Sequence, residues 1–598
     1  MDFDEVLSLL GELGRYQKWL LLFVAFPASL PTAVNTFDHI FISDVPEHHC
    51  HAPISDEKAS LLRTKLAPSE DYREALQTLF LPRDAYGKFS RCQQYDIDLN
   101  SAITQVVKED KDINSSTIED FVARNRWPSV RCVHGWDYDT SVYPETLASK
   151  FNVVCEDQWL VSTAQGVFFL GGVIGSVIFG WISDRWGRRP ALLLSTALMT
   201  SGNLAGFFIP NYGTYMILKF IVGLSHPCVY NTAFVIATEM CGKGRRMTST
   251  IVCDLSYATA IMLFAIVSYF VRHWRTLIAT TWTPMLLFIA YYWLVPESPQ
   301  WLISQGRVDE AEVIVQKIAK VNRVRIEPDF LRKNLAHDLL SIKSGRQDSN
   351  KVGVAQLIKY PRVTLKLILM IIVWSIITLT CNSLSFAAPI MPSDTSVAFF
   401  LSGLCEVPGI FLAFTAIQYF GRRSTLLVTL FLSGVLSMTT ALVPDEYPWL
   451  GVLLPSLAKL VISIPFSVIY LYTGEVFPTV LRGFAFGACA TGSQTSMIAS
   501  PYILFLSTIY GNHAPFIVFG VAAMLALLPM LALPETRGAP LPTTMDESEN
   551  YADFVKRATN VGAADKRGAV PDTSRVETRK EGSTMQLSGR NLSSGPAT

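Results

Sequence analysis

Charge is what this sequence is short of. Asp, Glu, Lys and Arg make up 17 % of its 598 residues while half of the residues are hydrophobic, whereas ordinary soluble domains carry about 25 % charge. So few charges cannot cover that much apolar side chain with water, which excludes a string of soluble domains. Basic and acidic residues balance at 50 each, so the basic footprint of a nucleic-acid-binding protein is missing. No GxxxxGK[ST] loop is present, which removes ATP-driven chemistry, and nothing in the chain implies a cofactor or an enzyme. The opening MDFDEVLSLLGELGRYQKW has neither the basic start nor the short apolar core of a cleavable signal. Residues 1–18 read as a short amphipathic cytoplasmic segment ahead of an uncleaved anchor.

Apolar runs long enough to cross a bilayer, about 20 residues each, are abundant. They fall near 19–42, 157–180, 190–210, 214–238, 247–271 and 275–295, and again near 365–389, 396–420, 424–443, 448–473, 483–508 and 514–534. In lipid every backbone polar group must be satisfied within the segment, so these runs are expected to be helices. The expectation is an all-α membrane protein of twelve helices in two halves, 19–295 and 365–534. A cytoplasmic linker, 296–364, joins them, and a Ser-, Thr- and Gly-rich tail, 535–598, is expected to be disordered and cytoplasmic. Arg185, Arg188 and Arg189, then Arg245 and Arg246, then Arg422 and Arg423 mark alternate loops as cytoplasmic. Arg272 and Arg275, between the fifth and sixth runs, stand against that rule.

The same rule puts a long loop, 43–156, outside the membrane. It holds Cys50, Cys92, Cys132 and Cys155. Four cysteines on an oxidising side imply two disulfides, with three pairings open. Asn114, in the run NSS, is a glycosylation acceptor on that face. His48, His49 and His51 flank Cys50, but a disulfide is the better use of that thiol and no metal site is expected.

The two halves repeat one another loosely. A Gly-Arg-Arg turn follows the second helix of each, at Gly187 to Arg189 and Gly421 to Arg423. GWISDRWGRR from Gly180 fits the GxxxDRxGRR signature of the major facilitator superfamily. PESPQWLISQGRVDEAE from Pro296 and LPETRG from Leu533 are shared with sugar porters. The PEHHC at Pro46, the four-cysteine loop, ATEMCGKGRR around Glu239 and YLYTGEVFPTVLRG around Glu475 narrow this further. Together they resemble the organic cation, organic anion and carnitine transporters within that superfamily, over about residues 1–540. Two positions depart from the pattern: Gln300 stands where the family has Arg, and Gly421 to Arg423 lacks a preceding Asp-Arg.

The resemblance implies the major facilitator fold, multi-pass in a plasma membrane. It implies transport of small organic cations or zwitterions, amine-, carnitine- or amino-acid-like, by alternating access. A coupling ion, Na+ or H+, is open. Asp184, Arg185, Arg188 and Arg189, Glu239 with Arg245, and Glu475 with Arg482 are expected to form cytoplasmic gating pairs. A sugar-type facilitator is the rival reading, disfavoured by the cysteine-rich loop and the intramembrane charges. A receptor built on a transporter fold is a third, disfavoured by gating motifs intact in both halves.

Charges inside apolar runs are costly, roughly 2.5 to 3.5 kcal/mol each at a helix centre, and mark function or an ion pair. Asp254, Glu406, Lys459 and Lys219 are such charges. The resemblance puts Glu406 at an acidic position tied to cation binding and Lys459 at a basic family position; a Glu406–Lys459 structural pair is the alternative. Gln494 stands where family members that carry anions or carnitine have Arg and cation carriers have Asp. Tyr257, Trp374 and Asn382 are candidate walls of the substrate site. Tyr230, Phe386, Asn35 and Asp38 rank behind them. In a glycosylating host, Asn114→Gln is expected to abolish the glycosidase-sensitive mobility shift that the wild-type chain shows on a gel.

Overall fold

Each apolar run needs its backbone bonded internally, and each becomes a helix. The computed structural model describes residues 3–66, 71–83, 87–109, 113–242, 245–328, 331, 357, 359–444, 446–539, 542 and 544–556. The membrane helices are α1 (Arg15–Ile42), α2 (Trp159–Trp186), α3 (Arg188–Ala205), α4 (Tyr212–Glu239), α5 (Arg246–Phe270) and α6 (Trp274–Leu294). The second half holds α7 (Pro361–Phe386), α8 (Thr395–Phe420), α9 (Arg422–Thr440), α10 (Pro448–Val476), α11 (Thr479–Met497, continued by Ser500–Tyr510) and α12 (Ala514–Ala532).

Two boundaries differ from the sequence reading. The helix expected at 483–508 is broken after Met497, because Pro501 has no N–H to return to that residue's carbonyl. The first helix begins at Arg15, inside the segment read as an amphipathic preface, and a separate helix, Phe3–Leu10, precedes it. Asn322 anchors that region: its Oδ1 accepts from the Tyr16 N–H at 2.9 Å, and its Nδ2 donates to the Leu10 carbonyl at 2.9 Å and to Gln17 Oε1 at 3.0 Å. It closes the linker helix Val308–Asn322, whose Ala311, Val315 and Ile318 are fully buried.

Close packing within the first half depends on glycine. A Cβ on Gly171 or Gly175 of α2 would fall 2.4 Å from the Phe220 carbonyl or 1.9 Å from that of Leu224, both on α4. Small residues four apart let two helix backbones meet in lipid, where no hydrophobic force drives them together.

The outer loop folds as its own layer. Strands β1 (His48–Cys50) and β4 (Trp136–Tyr138) pair antiparallel, as do β2 (Gln93–Tyr95) and β3 (Ser129–Arg131). Disulfides join Cys50 to Cys132 and Cys92 to Cys155. Leu79, Phe80, Ile103 and Ile118 form a separate apolar core beneath them. Asn114 is exposed and caps the helix Ser115–Asn125.

At the end of the bundle that carries the Gly-Arg-Arg turns, the two halves carry the same brace. Gly187 (φ +112°) and Gly421 (φ +87°) turn the chain sharply into α3 and α9. Such positive φ values are strained for any other residue. A carboxylate then caps each helix start. Glu297 Oε1 accepts from the Arg188 and Arg189 N–H groups at 2.8 and 3.3 Å. The two oxygens of Glu535 accept from the Arg422 and Arg423 N–H groups at 3.1 Å each. The PESP and PETRG motifs therefore supply an anion to the positive end of a helix dipole. Glu535 lies in the stretch read as a disordered tail, which is a correction: it caps α9, and among the described residues beyond it Met545–Glu549 form a helix in which Met545 and Ser548 are buried. Met1–Glu549 form one compact unit and Asn550–Thr598 a second, in which 551–556 are helical. Expected disorder beyond 556 lies outside the described residues.

Removing either cap leaves partly buried N–H groups without an acceptor. Glu297→Ala and Glu535→Ala are each expected to destabilise the detergent-solubilised chain by about 1–2 kcal/mol, read as a lower melting temperature, with the two effects similar in size.

Candidate functional site: a cavity between the halves

Polar residues repeat along single faces of otherwise apolar helices, and those faces converge. Thr32 and Thr36 on α1, His226 and Tyr230 on α4, and Ser463 and Ser467 on α10 are each four apart, one helical turn. They line a cavity of about 130 Å³ between the halves, together with Asp254 and Tyr257 of α5, Asn382 of α7, Glu406 of α8 and Gln494 of α11. Five of the seven expected substrate residues are thus brought together. The other two stand behind the wall. Lys459 is 1 % exposed, and Trp374 is buried against Tyr470, with ring centroids 4.5 Å apart, its Nε1 donating to Thr473 Oγ1 at 2.8 Å. Trp374 therefore buttresses Tyr470, which does face the cavity. Tyr470, Phe466, Thr32, Thr36 and His226 escaped the sequence reading; their spacing of one turn was the available signal.

The charges sort by partner. Lys459 Nζ lies 2.5 Å from Glu406 Oε1 and donates to the Cys381 carbonyl at 2.8 Å, so one ammonium ties α7, α8 and α10. Lys219 Nζ lies 2.6 Å from Asp38 Oδ1, both side chains 3 % exposed, tying α1 to α4. Asp254 accepts from Ser467 Oγ at 3.1 Å, and among the described residues it has no basic partner. The cavity lining holds no Lys or Arg. Its uncompensated charge is therefore one carboxylate. Gln494 Oε1 is buried without a hydrogen-bond partner, and Asn382 spends its amide on the Thr378 carbonyl of its own helix at 3.1 Å.

Above the cavity an aromatic layer spans both halves. Phe37 packs on Phe386 and Phe399 with centroids 5.0 and 5.1 Å apart, and Phe41 on Phe264 and Phe399 at 5.4 and 5.5 Å. Phe169 lines the cavity, whereas Phe386 lines an outer vestibule of about 630 Å³; the two rings meet edge to face at 6.2 Å. Beyond this layer Arg272 Nη2 reaches Asp394 Oδ2 at 2.9 Å and joins the halves at the outer face. That pairing accounts for an arginine on the wrong side of the charge rule. Burial pushes the Asp394 carboxyl up, but the Arg272 guanidinium and the Ser396 N–H outweigh it and hold it below the usual range.

The ion pairs at the Gly-Arg-Arg end differ from expectation. Glu239 takes Arg188 at 3.5 Å, not Arg245, which is exposed; the Arg246 side chain lies outside the described residues. Arg188 also bonds Asp184 at 2.8 Å. Arg185 lies over the Trp181 ring, and Arg189 donates to the Tyr292 carbonyl at 2.5 Å. Glu475 takes Arg422 at 2.7 Å and Thr536 at 2.5 Å where Arg482, in the first turn of α11, was expected. The reason is the Gly-Arg-Arg turn, which aims its first arginine at the acid ending the fourth or tenth helix. Each network closes within one half.

The sequence model of the family "Sugar (and other) transporter" matches residues 91–545. A "Beta-alanine transporter" of Drosophila melanogaster is 31 % identical over 96 % of this chain and 94 % of its own. The human "Organic cation/carnitine transporter 2" is 32 % identical over 93 % and 96 %. This chain belongs to the organic cation/carnitine transporter family of the major facilitator superfamily. It is a membrane transporter, not an enzyme. Its fold is shared with the proton:xylose symporter XylE bound to 6-bromo-6-deoxy-D-glucose, with a TM-score of 0.52 and 18 % identity over 68 % of this chain and 93 % of that one. A partially occluded inward-open XylE from E. coli gives 0.53 and 15 % identity, over 88 % and 100 %. Breaking a buried ion pair by removing one partner generally costs about 3–5 kcal/mol, whereas replacing both members is often neutral. Lys459→Met and Glu406→Gln alone are expected to lower surface expression sharply, and the double variant to restore most of it, as read by surface biotinylation.

Proposed function

We propose that the central cavity carries small organic cations and zwitterions across a plasma membrane by alternating access. The observation that carries this reading is the charge balance of the lining: Lys459 neutralises Glu406, and Asp254 is left without a cation. A carboxylate in a water-poor cavity is best offset by a bound positive group, since the attraction between opposite charges strengthens as the effective dielectric falls. Tyr230, Tyr257, Phe466 and Tyr470 add aromatic faces that attract ammonium groups, by roughly 0.5 to 2 kcal/mol each. The amides of Gln494 and of Asn231, which also lines the cavity on α4, offer neutral donors to a substrate carboxylate, which suits a zwitterion. The names of the relatives, transporters of β-alanine and of organic cations or carnitine, support the same class.

The outer aromatic layer and the Arg272–Asp394 pair would form the outer gate. Arg188 and Arg422, each now held by an acid of its own half, would serve the cytoplasmic gate by exchanging partners when the halves rock.

The test is uptake of labelled tetraethylammonium, carnitine, β-alanine and a hexose into cells expressing the chain, corrected for surface protein. Saturable uptake is expected for the first three and not for the hexose. Asp254→Asn should raise the half-saturation constant for tetraethylammonium about tenfold, equivalent to ~1.4 kcal/mol of binding. Equal loss of maximal rate for every substrate, with affinity unchanged, would assign Asp254 to structure instead.

A further inference from the structure

Among the described ion pairs, Arg272–Asp394 is the one that joins the two halves. Arg272 stands two residues past the end of α5, and Asp394 immediately ahead of α8. If the halves part at this end, Asp394 leaves with α8 and the guanidinium stays with the first half. At the Gly-Arg-Arg end the matching problem is already solved. Arg188 and Arg422 are each held by an acid of their own half, Glu239 and Glu475. The same solution at the outer face needs an acid of the first half within reach of Arg272.

Asp44 is such an acid. It follows the end of α1 by two residues and lines the outer vestibule. Among the described residues it has no ion-pair partner. The carboxyl end of a helix carries the negative end of its dipole, so α1 gives a carboxylate there no support. Burial pushes the Asp44 carboxyl up to about 6, with the Val45 N–H working the other way, which marks a charge that is poorly compensated. The basic groups that share the vestibule are engaged elsewhere: Arg91 lies 3.1 Å from Glu47, and His48 Nδ1 donates to the Pro46 carbonyl at 2.9 Å.

Tyr143 of the outer loop, 5 % exposed, links the two charges. The guanidinium carbon of Arg272 lies 5.9 Å from its ring centroid. Burial pushes the Tyr143 phenol up; the Asp44 carboxylate adds to that shift, the Arg272 guanidinium opposes it and Asp394 adds again, so all three charges surround one side chain. The loop beside Tyr143 is tied to the first half, where Glu145 Oε2 accepts from Trp274 Nε1 at 2.8 Å and lies 3.6 Å from His273. Helices α1 and α5 are themselves packed together, Phe41 on Phe264 at 5.4 Å and Ser29 Oγ 2.6 Å from Ser256 Oγ. Asp44, Tyr143 and Arg272 therefore keep their mutual arrangement while Asp394 moves with the second half.

We infer that Asp44 is a positioning residue of the transport cycle, the first half's own acceptor for Arg272, which takes the guanidinium from Asp394 when the outer face opens. The inference rests on the alternating-access reading and not on the choice of substrate. The exchange needs only rotation of the arginine side chain across the Tyr143 ring, whose face attracts a guanidinium. One acid replaces another, so the closed and open states differ little in electrostatic energy. A modest difference in substrate affinity between them is then enough to drive the change. Asp44 and Asp394 compete for one cation, and loss of either biases the equilibrium in the opposite direction to loss of the other.

The test reads access to the cavity from outside, without a substrate. Asn231→Cys in the full-length chain is the reporter, because Asn231 is exposed and lines the central cavity. Intact cells are treated with a membrane-impermeant trimethylammonium methanethiosulfonate, and labelling of position 231 is followed by peptide mass spectrometry, corrected for surface protein. Permeabilised cells give the maximum. In this background Asp44→Asn should slow outside labelling about fivefold, the worth of an ion pair of ~1 kcal/mol. Asp394→Asn should speed it, the double variant should return near the parent rate, and Asp44→Glu should leave the rate as it was. If Asp44→Asn does not reach the surface, Asp44→Ser takes its place. Parent-like labelling in Asp44→Asn, or a double variant as slow as the single one, would overturn the role of Asp44. Full labelling after permeabilisation with none from outside in any variant would overturn alternating access, and this inference with it.

Discussion

A charge in the interior of a membrane protein must find a partner, and much of this structure follows from how four of them do. Glu406 meets Lys459, and Asp38 meets Lys219. Each pair binds helices of one half to each other, α8 to α10 and α1 to α4, with Lys459 also holding the Cys381 carbonyl of α7. Both halves are thus internally cross-linked by ion pairs that are largely withdrawn from solvent. Among the described residues the interface between them carries aromatic rings, hydroxyls and one ion pair, Arg272–Asp394, contacts that are easier to break. That difference in strength lets two rigid bodies move on each other while the cavity between them stays polar. Asp254, the acid left over, gives that cavity its sign.

The brace at the Gly-Arg-Arg turns follows a similar logic with a different donor. A helix that begins at a tight glycine turn exposes N–H groups at a positive dipole end. Glu297 and Glu535 reach those groups from more than 100 residues further along the chain. Each half is stapled shut across its own length. The first arginine of each turn is then free to point at Glu239 or Glu475, while the second bonds a backbone carbonyl of α6 or α12.

The fold was legible because lipid permits so little: runs of apolar residues become helices, and Arg-rich loops mark one side. The family was legible in motifs that are now seen to be caps and turns. Pairing was less so. Glu239 and Glu475 have arginines close behind them in sequence, Arg245 and Arg482, yet their partners come from the start of α3 and α9, a choice set by tertiary packing. Helix α11 read as one unbroken run because hydropathy does not register the missing N–H of Pro501. Trp374 was expected in the cavity wall because aromatic residues suit cations; only packing shows that Tyr470 stands in front of it. The Glu535 cap was hidden by the polar, Ser- and Thr-rich composition of the tail that follows it, a case where one carboxylate orders a segment that composition alone would leave loose.

The partition between vestibule and cavity has a further consequence. Where Phe169 meets Phe386 the barrier is a single pair of rings, one from each half. Rotation of a side chain takes far less time than the rocking of domains, picoseconds to nanoseconds against microseconds to milliseconds where the side chain is free to turn. Phe169 and Phe386 are buried, at 2 % and 6 % exposure, so they turn only as the halves part around them, and a solute large enough to fill the cavity must wait for the whole scaffold to move.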